Sequence, residues 1–137
     1  ATPAGVLGLT RVLYRPDREP APLTGLPVAA LTPRDGWADD PGHRAYNQPV
    51  HAGHPAGHER LWRADGLYDL LVLTDYNRRP TVPGAGSAIF IHCAAPGRPP
   101  TAGCVALART DLIALLATCG PATRLAIDSA KAGDMAR

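Results

Sequence analysis

Residues 87–92 read Ser-Ala-Ile-Phe-Ile-His, and residues 101–107 read Thr-Ala-Gly-Cys-Val-Ala-Leu. The first is a short apolar run of the buried-strand type that ends on a histidine. The second brings a cysteine out of a small-residue turn, after the Pro-rich loop 93–100, and predicts a brief strand over 104–107. Thr110 is then the expected N-cap of a helix, with Asp111 favouring its first turn and Leu112, Ile113, Leu115 and Leu116 continuing it. Gly120-Pro121 stops it.

Upstream, alternation predicts a strand over 6–14, a Pro- and charge-rich loop over 15–27 and a short strand over 26–31. Residues 32–57 are polar and turn-prone, which reads as an irregular excursion of the kind that covers a site or stays disordered. Asp65-Gly66 reads as the turn before a central strand over 67–74, and 77–86 as another turn-rich loop. A last strand is expected over 122–127 and a frayed polar tail over 128–137. The sum is a mainly β domain over 1–128 with one short helix after the cysteine, and a polar tail over 129–137.

Composition narrows the function. At 137 residues the chain fits one domain with one core. Its 15 prolines and 14 glycines favour short elements joined by turns. Net charge is only +2 and the arginines are scattered without interleaved aromatics, which argues against nucleic-acid binding. No apolar run reaches the ~20 residues of a membrane span. The chain opens on Ala1 without an initiator Met or a signal-like region, so it reads as a fragment or processed form whose targeting segment is missing.

The cysteines are Cys93, Cys104 and Cys119, with no C-x-x-C spacing. An odd number leaves at least one thiol free within the chain. His92 precedes Cys104 by 12 residues. An imidazole within reach of a thiol can take its proton and leave a thiolate nucleophile. Gly103 lets the backbone turn sharply, and the N–H groups of Gly103 and Cys104 are candidates for an oxyanion hole. That chemistry is acyl transfer from an amide. On the residues alone, a small buried cysteine and a satisfied core histidine are the favoured reading of the pair, because one Cys and one His do not identify a nucleophile.

Other residues carry weaker readings. His43, His51, His54 and His58 read as solvated loop histidines, because Pro55 and Gly57 keep the i, i+4 pair off a helix and away from a zinc site. Cys93 reads as a small strand-end filler and Cys119 as an inert or partly exposed thiol. Trp62 and Tyr68 read as core or rim packing. Asp65, Asp69 and Asp75 are candidates for orienting His92, and a backbone carbonyl would serve equally well.

Ile91-His92, a loop, and then Thr101-Ala102-Gly103-Cys104-Val105 resemble the hallmark of the L,D-transpeptidase family, the YkuD-type catalytic domain. Thr2-Pro3-Ala4-Gly5, Glu59-Arg60-Leu61-Trp62, Tyr68-Asp69-Leu70-Leu71-Val72, Tyr76-Asn77 and Gly86-Ser87-Ala88-Ile89-Phe90 resemble further family segments in order. The resemblance implies a β-sandwich or barrel, Cys104 as nucleophile, His92 as general base and acid, and Gly103 as oxyanion backbone. It also implies that Thr101, Ala102 and Tyr68 lie along the substrate. The implied partners are peptidoglycan stem peptides as donor and acceptor, with no cofactor or metal, in the periplasm or cell envelope. Carbapenems typically acylate the cysteine in this family. Two positions depart from its pattern: Ala106 stands where the family usually has arginine, and Cys93 where it often has glycine. Arg109 comes three residues later and is not a substitute by sequence. An atypical branch lacking that arginine resembles enzymes that link at the first stem residue instead of the third.

Overall fold

The computed structural model describes residues 5–78, 80–94 and 105–127. Two sheets organise them. The larger has strand order β2-β1-β6-β7-β8, with β9 also pairing with β1. Its members are β1 (Gly5–Tyr14), β2 (Val28–Ala30), β6 (Leu70–Thr74), β7 (Phe90–Cys93), β8 (Val105–Leu107) and β9 (Arg124–Ile127). β1, β6 and β7 run antiparallel to their neighbours in turn, while β2 lies parallel to β1 and β8 parallel to β7. The smaller sheet holds β3 (Asp35–Ala38) between β4 (Pro49–His51) and β5 (His58–Arg60), all antiparallel.

The central strands explain their own position. Every residue of Leu70–Thr74 and of Phe90–Cys93 is buried, as expected of strands covered on both faces. Alternation sorts the side chains between two cores. Leu7, Leu9, Val12, Leu70, Val72, Ile91, Cys93 and Val105 meet Leu112 and Leu116 of α1 (Arg109–Thr118) on one face. Leu71, Leu73 and Phe90 meet Trp37, Leu61, Leu67 and Tyr68 on the other, beneath the smaller sheet. Trp37 and Phe90 pack edge to face at 5.1 Å between ring centroids. The protein is mainly β, with one helix among the described residues. No helix among them is long and apolar enough to cross a membrane.

Several expectations change in detail. The segment 32–57 is not an irregular cover: it supplies β3 and β4, and β5 follows directly. Strands of three and four residues with Gly, Pro and His in them carry too little pattern to read. Their contact is close, since a Cβ on Gly36 would lie 2.9 Å from the His58 ring and 3.1 Å from the Glu59 carbonyl. The predicted strand over 67–74 begins only at Leu70, after a turn in which Gly66 takes φ +83°. The strand predicted over 87–92 is Phe90–Cys93, one residue beyond the histidine. The helix starts before Thr110: its N-cap is Ala108, without a side-chain cap, and Thr110 lies inside the first turn. Cys119 caps its C-terminus and is buried, not partly exposed. The tail 129–137 lies outside the described residues.

Candidate active site

His92 is the fully buried polar residue of β7, 1% exposed. It shares a face with Phe90, two residues earlier on the same strand, and so points toward the smaller sheet. Its Cα neighbours across the ladder are Leu71 on β6 and Ala106 on β8. Tyr68 closes one side, ring against ring at 5.6 Å and 63°. Cys93, next in sequence, faces the helix side instead.

The orientation of His92 comes from the backbone. Nδ1 lies 2.9 Å from the carbonyl oxygen of Cys93 in a buried contact. A carbonyl can only accept, so Nδ1 carries the hydrogen and the lone pair of the neutral ring sits on Nε2. Burial lowers the imidazole pKa from its ordinary value; the Cys93 carbonyl opposes this, Arg63 adds to it and Asp65 opposes it. The ring is therefore held neutral, with its basic nitrogen defined.

The three aspartates proposed for this task have other partners. Asp69 is buried and receives Arg18 at 3.1 Å and Arg109 at 2.8 Å. Asp75 accepts the Gly8 N–H at 2.8 Å. Asp65 accepts from Arg63 at 2.5 Å and from the Leu67 N–H at 3.1 Å.

Arg109 does not take the place of the arginine missing at Ala106. Its guanidinium bridges Glu19 and Asp69, and these two hydrogen bonds hold its pKa above the ordinary arginine value. Ala106 leaves the β8 position beside His92 without charge. The charge near His92 comes instead from the segment before β6. The Arg63 guanidinium lies 5.0 Å from the centre of the Tyr68 ring. The Tyr68 hydroxyl donates toward both Glu59 oxygens at 3.4 Å. Desolvation raises the Glu59 pKa, with Arg63 acting against it. Nothing in the sequence spacing marked Glu59 and Arg63 as neighbours of the Tyr68 ring, although the segments around them were recognisable.

Cys104, Gly103, Thr101 and Ala102 lie outside the described residues. Among the described thiols, Cys93 and Cys119 are both buried and free of disulfides. Burial raises the Cys93 pKa, and the Cys119 thiol donates to the Leu115 carbonyl at 3.3 Å. Trp62 packs at the rim, with the Arg15 guanidinium 3.6 Å from its ring. The loop histidines serve the turns: Nδ1 of His43 accepts from the Ala45 N–H at 2.9 Å and Nδ1 of His54 from the Ala56 N–H at 3.0 Å. A cleft of about 920 Å³ lies away from His92 between β1 and the smaller sheet, with Arg11, Trp37, Asp75 and Arg78 on its walls.

These features define a mainly β domain organised around a buried, strand-borne histidine. Residues 1–127 match the family model of YkuD, the L,D-transpeptidase catalytic domain, and the chain belongs to that family. Its members act on peptidoglycan and are typically cysteine-dependent transpeptidases. No curated protein and no solved structure gives a match.

Proposed function

We propose that the protein is a peptidoglycan L,D-transpeptidase that cross-links stem peptides through a thioester on Cys104. His92 carries this reading: a buried imidazole whose lone pair is fixed on Nε2 by the Cys93 carbonyl. Its strand runs parallel to β8, which begins at Val105, one peptide bond after Cys104, with Val105 beside Ile91 and Ala106 beside His92. The adjacency of Cys104 in sequence to this paired strand supports the assignment.

In the proposed cycle Cys104 attacks a stem-peptide carbonyl and His92 Nε2 takes the thiol proton. The Gly103 and Cys104 N–H groups hold the developing oxyanion. The proton then passes to the departing amine, and an acceptor amine resolves the thioester. Burial disfavours an imidazolium, so the resting site holds a neutral ring, and the thiol is deprotonated as it attacks. Thr101, Ala102 and Tyr68 line the donor's path. The domain extends over 1–128 and works outside the cytoplasm, in the periplasm or envelope.

The uncharged Ala106 beside His92 favours the atypical linkage at the first stem residue. Mass spectrometry of muropeptides made by the purified protein tests both levels. Cross-links from the first residue support the full reading, and products linked only at the third overturn the atypical part. Water as sole acceptor would make the protein a carboxypeptidase of the same peptides; no thioester at all would make it a wall-binding module.

A further inference from the structure

The cleft of about 920 Å³ beside β1 continues into a second recess of about 240 Å³, and the two share Arg11, Trp37, Pro49 and Leu73 as walls. They form one groove between the sheets, with Asp75 and Arg78 in the larger part and Thr32 and Asp35 in the smaller. A bulge in β1 aims a cation into it. Leu9 pairs with Thr74 and Arg11 with Leu73, so two steps along β1 answer one along β6. The slip lets the consecutive residues Thr10 and Arg11 both line the cleft, where strict alternation would send one to the other face. Arg11 makes no hydrogen bond and no ion pair among the described residues. Asp75, on the same wall, accepts the Gly8 N–H instead. Arg78 is half-buried, with Cζ 5.3 Å from the centre of the Trp37 ring and Nη2 donating to Gln48 Oε1 at 3.1 Å. Val6, Leu7 and Leu73 add apolar surface.

We propose that this groove is a second, non-reacting site that holds an acidic peptide. Arg11 and Arg78 receive its carboxylates, guanidinium being suited to two-point contact with a carboxylate. The Gln48 amide still has N–H groups to give a peptide carbonyl. The Thr10 hydroxyl, which donates to the Leu73 carbonyl at 3.2 Å, has lone pairs left for a peptide N–H. The apolar wall takes short side chains such as that of alanine. A saccharide fits less well, because a sugar ring stacks on an open aromatic face and Trp37 is only 2% exposed. Arg11 stands beside Leu73 on β6, and Leu73 beside Phe90 on β7. The groove is therefore two strands, about 10 Å, from the strand that carries His92. Peptidoglycan, on which the family acts, is a polymer bearing many acidic stem peptides. One stem held in the groove keeps the polymer on the protein while another reacts, which raises the effective concentration of the reacting stem. The inference rests on peptidoglycan as substrate and is independent of the thioester step.

Binding is measured by NMR on isotope-labelled Cys104→Ala protein, so that no chemistry intervenes. The probes are a synthetic stem tetrapeptide with free carboxylates and the same peptide with every carboxylate amidated. The chain has two tryptophans, and Trp37 lines the groove while Trp62 packs against Arg15 elsewhere. The acidic peptide should move the Trp37 indole N–H resonance. Amidation, or Arg11→Gln, should raise the Kd read from that resonance by about 10- to 100-fold, the worth of a charge-assisted contact. Arg11→Lys, which keeps the charge and loses the fork, should fall between. Arg11 is exposed, so neither change should disturb folding. In the protein with Cys104 intact, Arg11→Gln should leave acylation by a single stem peptide unchanged, while KM for uncross-linked glycan strands bearing stems should rise about ten-fold. An unmoved Trp37 resonance, equal affinity for the amidated peptide, or binding indifferent to Arg11→Gln overturns the inference. So does a peptide-free chitin-type oligosaccharide that moves Trp37 as strongly. If Cys104 fails to acylate while the Trp37 response follows Arg11, the thioester reading falls and the groove stands.

Discussion

Replacing Asn47 by alanine should destabilise the domain by about 4–5 kcal/mol, although no sequence pattern marks this residue. Its side chain is buried, and Oδ1 accepts from Trp37 Nε1 at 2.9 Å and from the Ala88 N–H at 3.3 Å. Nδ2 donates to the carbonyls of Tyr76 and Asn77 at 3.0 and 2.8 Å. One amide thus joins the smaller sheet to both ends of the connection that leads into β7 and His92. Each bond contributes about 0.5–1.5 kcal/mol net, so the four together are worth about 4. The backbone at Asn47 has φ 59°, where a Cβ other than that of Asn or Asp costs about 1 kcal/mol more. For a domain of this size the melting temperature should fall by about 15–20 °C. Glycine provides the internal control. It loses the same bonds but tolerates φ 59°, so Asn47→Gly should be milder than Asn47→Ala by about 1 kcal/mol. Urea unfolding followed by circular dichroism measures both. A cost below about 1.5 kcal/mol for alanine, or a larger cost for glycine, would refute this account of the hub.

Three further outcomes follow from the site. Because burial holds the His92 pKa below its ordinary value, the acid limb of acylation against pH should lie below about 6.5; a limb at or above that value contradicts the neutral-base assignment. The same shift means that the unfolded chain binds more protons than the folded one just below pH 6.5, so stability should fall as pH drops through that window, and His92→Gln should flatten the dependence. Of the three cysteines only Cys104 should react with iodoacetamide in the native protein, since Cys93 and Cys119 are buried; peptide mapping that finds Cys93 or Cys119 modified first would contradict this. Asp69→Ala leaves two partly exposed guanidiniums without their shared carboxylate and should cost about 2–3 kcal/mol in thermal unfolding, less than a fully buried pair would; a change within 0.5 kcal/mol would show the network to be solvent-screened.

The residues made the larger sheet legible and hid the smaller one. Apolar runs at 70–74 and 90–93 are buried on both faces, so hydrophobicity alone marked them as strands. Gly120-Pro121 marked the end of α1 for the same kind of local reason. The smaller sheet has strands of three or four residues, and it is fixed by contacts that no local pattern encodes, such as the Asn47 amide and the close approach at Gly36. Helix start was misread because Thr110 looks like a cap, whereas the chain turns helical at Arg109, whose side chain is held by Glu19 and Asp69 far back in the sequence. His92 was readable as a strand-end histidine. Its orienting group was not, because every residue carries a carbonyl and only the folded backbone shows that the one at Cys93 faces Nδ1. That Glu59 and Arg63 lie beside the same Tyr68 ring was visible only in the folded chain.

The most direct test of the pairing between His92 and Cys104 is the single-turnover rate of thioester formation, followed by intact mass with a donor stem peptide or a carbapenem. The account predicts one adduct that is absent in Cys104→Ala and forms about 10²–10⁴-fold more slowly in His92→Ala. An adduct that persists without Cys104, or an undiminished rate without His92, would contradict it.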